Sequence, residues 1–387
     1  MANRREFLKG LGGATAGICF TGCSMLSSAQ ALMAAGQAAA PRGKRREVTV
    51  GGRRVKVIDL HCHINVPEIW EVIQDHPVAP LEQEAQDNYL KHGMSMGGSG
   101  HDLDARLADM DQMGFDVQVI SCNNRYYWME KTLARKVGQI INERVAEACA
   151  AHPDRLQGMA TVMLQHPDLA VEQLEECVKK YGMHSFTCGG SVNGEELSSP
   201  RFYPIWAKAQ ELGVLMFIHP MGVSASGERP TAAVEPRLQG NGWLGNVIGN
   251  PLETTIALTH LILEGTLDQF PNLKILSAHG GGYLASYTNR MDQCLTAFPA
   301  FCKPIKKLPS EYLKTLYYDS IVFSNEDLRH LIAKFGASHI VAGTDYGTRW
   351  NREAVDRILS SPDLSDADRI AVLGGTASKL VQIPEKI

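Results

Sequence analysis

From residue 55 onward, short runs dense in β-branched and other apolar residues alternate with amphipathic stretches of helical length. The apolar runs occupy 55–64, 117–122, 156–162, 184–189, 214–219, 273–279, 316–322 and 339–345. Between them, stretches such as 134–151, 168–181, 202–212, 253–270 and 325–335 read as helices, each stopped within two residues by Gly or Pro. Eight strand-then-helix units in one chain predict an α/β fold, a (β/α)8 barrel of the TIM type. The rival is an open doubly wound sheet, which would place a glycine-rich phosphate loop after its first strand. That place holds Asp59-Leu60-His61-Cys62-His63 instead. Two longer insertions, 65–100 and 221–250, follow the first and fifth runs, at the barrel face where active sites form. Within the first, the glycine-rich stretch 93–100 reads as mobile.

The first 40 residues have a different pattern. Arg4-Arg5-Glu6-Phe7-Leu8-Lys9-Gly10 leads into small and apolar residues and ends at Ala38-Ala39-Ala40, the order of a twin-arginine export signal. The chain therefore divides into a signal and linker at 1–40 and a barrel at 41–387, with a periplasmic or secreted destination expected. Ser28-Ala29-Gln30-Ala31 and Gln37-Ala38-Ala39-Ala40 both suit a signal peptidase, while Phe20-Thr21-Gly22-Cys23 is a loose lipid-attachment motif; peptidase cleavage is the preferred reading.

The 387 residues carry 38 basic and 42 acidic side chains, a formal charge of −4. The leader contributes Arg4, Arg5, Lys9 and Glu6, so the remainder is more acidic still. That charge argues against a phosphate-backbone binder and so against nucleic acid as a partner. Beyond Ala40 no apolar run reaches the roughly 18 residues of a membrane span. Seven of the nine cysteines lie beyond the leader, scattered and without zinc-knuckle spacing. Cys294 and Cys302 are the one near pair that could bridge after export.

The candidate chemistry sits at the ends of the apolar runs. Residues two apart in a strand point the same way, so His61 and His63 both project inward, spaced to grip one ion, with Cys62 facing away. A lone His-x-His pair is weak evidence, since such histidines also satisfy core hydrogen bonds. Position adds weight: His219 closes the fifth run, His279 the sixth and Asp345 the eighth. Five polar groups on one barrel rim would cost roughly 1–3 kcal/mol each if buried unpaired. A bound metal offsets that cost.

These residues resemble the amidohydrolase superfamily, and within it the subgroup typified by aminocarboxymuconate semialdehyde decarboxylase. The resemblance runs from about residue 57 to 383. It is carried by Asp59-Leu60-His61-Cys62-His63, Arg106-Leu107-Ala108-Asp109-Met110-Asp111-Gln112, Phe217-Ile218-His219-Pro220, Asn250-Pro251-Leu252-Glu253, Ala278-His279-Gly280-Gly281-Gly282 and Gly343-Thr344-Asp345-Tyr346. It implies that His61, His63, His219 and Asp345 bind one divalent metal, commonly Zn2+ with Mn2+ as the alternative, with water in the remaining position. It makes His279 the acid–base residue. It also implies that Arg106 grips a substrate carboxylate and that Arg290 serves a neighbouring subunit's site in a homodimer. For Arg106 the plain alternative is a helix-surface arginine near Asp102 and Asp109; for Arg290 it is an intrachain ion pair.

Three neutral imidazoles and one carboxylate leave a divalent ion with residual positive charge, enough to bring bound water toward a pKa of about 7. The fourth run, His184-Ser185-Phe186-Thr187-Cys188-Gly189, lacks the lysine that binuclear relatives carboxylate, so one metal is expected. Departures from the subgroup occur at Pro220-Met221, where Pro-Trp is usual, and at Gly347, where Pro is usual. The metal centre is kept and the substrate changed. Two activities use this set of residues: non-oxidative decarboxylation of an unsaturated or aromatic carboxylic acid, favoured through the two arginines, and hydrolysis or hydration of an ester, lactone, amide or unsaturated acid. A binding protein that has lost catalysis conflicts with the complete residue set. Of the five tryptophans, Trp243 and Trp350 follow the fifth and eighth runs and are the ones placed to face a small-molecule carboxylate, although aromatic side chains in loops more often serve packing.

Overall fold

The computed structural model describes residues 44–80, 83, 102–123, 126–221, 235–238, 242–348 and 350–385. The leader, the 93–100 stretch and residues 222–234 of the fifth insertion lie outside them. All eight expected strands are present, each shorter than its apolar run: β1 Ile58–His63, β2 Val117–Ser121, β3 in two pieces at Leu156–Gly158 and Ala160–Thr161, β4 Ser185–Cys188, β5 Leu215–Ile218, β6 Lys274–Ser277, β7 Tyr317–Asp319 and β8 Ile340–Val341. Every neighbouring pair from β1 to β8 is parallel; the first piece of β3 pairs with β2 and the second with β4. The ring closes where β1 meets the end of β8, through Leu60 N–H to the Ala342 carbonyl at 3.0 Å and Asp345 N–H to the His61 carbonyl at 2.8 Å.

The helices α1 Leu103–Met113, α2 Lys131–Ala151, α3 Pro167–Tyr181, α4 Tyr203–Leu212, α5 Asn250–Leu263, α6 Leu284–Ala297, α7 Asn325–Phe335 and α8 Ala354–Ser360 follow the strands in turn. Their ends obey local chemistry. Asp102 and Ser324 cap α1 and α7 by accepting from Ala105 N–H and Asp327 N–H, and Gly114, Gly182 and Gly213 leave α1, α3 and α4 in the left-handed conformation. The expected single helix over 253–270 is two: α5 starts earlier, behind a wide turn at Gly245–Gly249, and stops before Gly265, whose φ of 83° breaks it from a short turn at Thr266–Gln269. No helix among the described residues is long and apolar enough to cross a membrane.

The strands separate two apolar layers. Ile58, Leu60, Val117, Val119, Leu215, Phe217, Leu276 and Val341 fill the barrel interior, sealed at the strands' N-terminal end by Ala377, Leu380 and Val381. Cys62, Ile120, Cys188, Ile218, Ile275 and Ile340 belong to the outer layer under the helices. On β1 this parity reverses midway. Asp59 pairs with Gln118 and Cys62 with Ile120, so Leu60 and His61 together oppose Val119, a β-bulge. An unbroken period of two from Leu60 would send Cys62 into the barrel and both histidines out among the helices. The bulge therefore aims His61 and His63 at the mouth.

Candidate active site

His61 and His63 from the end of β1, His219 after β5 and Asp345 after β8 meet at the C-terminal mouth, their ligand atoms all within 4.8 Å of one another. The His63 and His219 rings lie 4.5 Å apart and the His61 and His219 rings 5.0 Å. Nε2 of His61 and Nε2 of His63 are buried without a hydrogen bond, facing Asp345 Oδ1 at 3.5 and 3.1 Å. Two buried, unpaired imidazole nitrogens beside a carboxylate oxygen are the arrangement a cation completes. Three imidazoles and one carboxylate suit a divalent transition metal and leave a position open.

The far side of each ring fixes which nitrogen is free. Asp319, at the end of β7, accepts from His61 Nδ1 at 2.6 Å, which leaves Nε2 with its lone pair toward the ion. Ser121 donates its hydroxyl proton to the Cys62 carbonyl at 3.0 Å, so its oxygen accepts from His63 Nδ1 at 3.1 Å. Neither Asp319 nor Ser121 was singled out from the sequence. Asp319 carries a different signal from His219 and Asp345, a carboxylate in the middle of the apolar run 316–322 rather than at its close; Ser121 carries none.

Charge follows from these partners. Burial alone would depress His61, but the carboxylates of Asp319 and Asp345 outweigh it and push its pKa up to about 10. Burial opposes ionisation of Asp345, yet the His61 and His63 rings beside it hold it well below the usual carboxylate range. Burial lowers His63, His219 and His279, which leaves them neutral at pH 7. Without an ion His61 therefore holds a second proton, which a cation would displace from Nε2; the two carboxylates outweigh that single positive charge, a potential that favours a cation.

His279 stands beside the four, its ring 5.3 Å from His61 and 5.6 Å from His219, with Nδ1 buried and unpartnered. Its φ of 55° and that of Asp345, also 55°, are left-handed conformations that cost energy in non-glycine residues. Asp319 holds the His279 turn by accepting from His279 N–H at 2.8 Å and Gly280 N–H at 3.0 Å. The three glycines that follow are tightly packed: a Cβ on Gly281 would lie 2.6 Å from Tyr318, and one on Gly282 would lie 2.2 Å from the Pro251 carbonyl. They are required by positive φ and by close packing.

The two arginines are elsewhere. Arg106 is only 2% exposed on α1, behind β1, where it donates to Gln118 Oε1 at 2.7 Å and to the His63 carbonyl and lies 4.4 Å over the Tyr346 ring. This corrects both sequence readings: it is neither a surface residue nor aimed into the mouth, but braces the segments that carry His63 and Asp345. Arg290 is exposed on α6 with no ion pair recorded for it among the described residues, which differs from the intrachain-pair alternative. Cys294 and Cys302 place their sulfurs 3.8 Å apart and are unbridged. Trp243 and Trp350, expected near the mouth, stack on each other with centroids 5.5 Å apart.

A parallel barrel with three histidines and an aspartate at its C-terminal rim defines a metal-dependent enzyme class, and comparison with known proteins gives its family. A model for amidohydrolases matches residues 58–383, and the chain belongs to that family. Among curated relatives, it is 26% identical over 335 residues to a 2-amino-3-carboxymuconate-6-semialdehyde decarboxylase of Dictyostelium discoideum, covering 83% of this chain and 90% of the relative. It is 26% identical over 300 residues to a gamma-resorcylate decarboxylase of Rhodococcus jostii (strain RHA1), covering 72% and 87%. Among solved structures, a 5-carboxyvanillate decarboxylase of Novosphingobium aromaticivorans, complexed with manganese and 4-hydroxy-3-methoxy-5-nitrobenzoic acid, matches with a TM-score of 0.75 at 22% identity, over 87% of this chain and 99% of that one. That likeness shows the fold.

Proposed function

We propose that the protein is a metal-dependent, non-oxidative decarboxylase of an unsaturated or aromatic carboxylic acid, with His61, His63, His219 and Asp345 as ligands of one divalent ion and His279 as the acid–base residue. The observation that carries this reading is the pair of orphaned Nε2 atoms facing Asp345, with His279 beside them. Zn2+ and Mn2+ both suit the donor set. A bound ion supplies Lewis-acid polarisation of a substrate oxygen next to the scissile carboxylate. His279, neutral at rest, takes up a proton released by the bound acid or by solvent and delivers it to the carbon bearing that carboxylate; the carbon–carbon bond then breaks, its electrons return to the unsaturated system, and carbon dioxide leaves. Burial lowers the His279 pKa, which makes its protonated form the stronger acid. Asp319 keeps the His61 tautomer and the His279 turn in register. Arg290, exposed on α6, is assigned to the neighbouring protomer's substrate in a homodimer.

The test is product analysis on protein loaded separately with Zn2+ and with Mn2+, over a panel of aromatic and open-chain unsaturated acids, lactones and esters. Release of one carbon dioxide per substrate consumed supports the reading. A product heavier by one water, without carbon dioxide, reassigns the site to hydrolysis or hydration. The proposal extends to the leader: Arg4 and Arg5 direct twin-arginine export, and Arg4→Lys with Arg5→Lys should leave folded protein in the cytoplasm. Continued secretion of that double variant overturns the export assignment.

A further inference from the structure

Beside His279 and Asp345 the mouth opens into a cavity of about 400 Å3 that Phe323 and Trp350 also line. Trp350 stacks on Trp243, with centroids 5.5 Å apart and planes 24° apart, and Phe323 lies 5.7 Å from Trp350 at 37°. The three rings arrive on separate segments, after β5, β7 and β8, and keep 41%, 46% and 38% of their surface exposed for Trp243, Phe323 and Trp350. Packing alone would bury them. Trp243 and Phe323 also sit at φ of 53° and 60°, left-handed conformations that bulky residues rarely adopt and that cost energy unless the surroundings enforce them. An exposed aromatic cluster held in strained backbone, continuous with the acid–base histidine, is built to receive something flat and apolar.

We infer that Phe323 and Trp350, the latter backed by Trp243, form a wall that receives the ring of the substrate and so select a planar aromatic acid over an open-chain unsaturated one. This inference rests on the decarboxylase reading above. It assigns substrate choice to residues outside the proposed ligand set, on segments different from those that carry the two arginines.

The experiment measures binding calorimetrically on the metal-loaded full chain, with 2-nitroresorcinol as a flat probe that has no carboxylate to lose and cis,cis-muconate as the open-chain comparison. Near-ultraviolet circular dichroism reports the stacked tryptophan pair. Trp350→Ala should raise the Kd for 2-nitroresorcinol about tenfold and remove the tryptophan couplet, while Trp350→Phe should change that Kd by less than about threefold. The Kd for muconate should be the same in all three proteins. Equal 2-nitroresorcinol affinity in the wild type and both variants overturns the inference, as does a change of oligomeric mass in Trp350→Ala, which would make the wall a subunit contact. If ring affinity depends on Trp350 but no acid in the panel releases carbon dioxide, the decarboxylase reading fails and the ring wall stands.

Discussion

Asp319 accepts a hydrogen bond from Nδ1 of His61 across 2.6 Å, and the same oxygen accepts the backbone N–H of His279 at 2.8 Å. One carboxylate thus orients a metal-binding ring and anchors the turn of the acid–base residue. Asp319→Asn keeps the shape and an acceptor but removes the charge. Loss of such an outer partner typically weakens metal binding about 10–100-fold. Competition against a chelator should show that loss with the fold intact; unchanged affinity would reduce Asp319 to a packing role.

His279→Asn separates chemistry from metal binding. Asparagine tolerates the left-handed backbone that His279 occupies, so the turn should persist. Turnover should fall by about 10²–10⁴-fold, the usual contribution of a general acid or base. Metal content measured by mass spectrometry should stay at one ion per chain. By contrast, His63→Ala should lose metal and activity together.

Glu253 on α5 is 4% exposed, and its Oε1 accepts the Gly190 and Met221 N–H groups, both at 3.2 Å. Burial pushes its pKa up to about 8 against those two hydrogen bonds. The unfolded chain releases this proton near pH 4.3, whereas the folded protein holds it to about 8, so stability declines as pH rises through that window. Glu253→Gln cannot titrate. Its unfolding free energy should match the wild type below about pH 4 and exceed it by about 1 kcal/mol or more at pH 8.

Arg106 and Arg290 should fail in different ways. Arg106→Met leaves Gln118 and the His63 carbonyl without their buried donor, a loss of roughly 3 kcal/mol in stability. Arg290→Ala, on an exposed surface, should change stability by less than about 0.5 kcal/mol. A large rise in KM with an unaltered melting curve is the result expected for Arg290; no change in KM would remove it from substrate binding.

How much of this was legible in the sequence follows from which forces are local. Eight apolar runs gave the strands, and polar residues closing them gave His61, His63, His219, His279 and Asp345, because a barrel rim recurs with the strand period. The bulge at Leu60 and His61 left no trace: it depends on pairing with Val119, about 60 positions away. Arg106 misled because it lies on the inner face of α1, and burial of one arginine against β1 and Tyr346 is a tertiary outcome. Ser121 is an ordinary strand serine until Cys62 and His63 lie next to it.

The extra residue in β1 also limits how this site can be moved or redesigned. Loops at the mouth can be exchanged between barrels without touching the first strand, so new substrate preferences are reachable by loop grafting. The first strand tolerates no such freedom. Inserting one residue into β2 beside Val119, so that Leu60 and His61 each gained a partner, would leave a regular strand and a closed barrel, but it would turn the two histidines into the helix layer and abolish the ion site without unfolding the host.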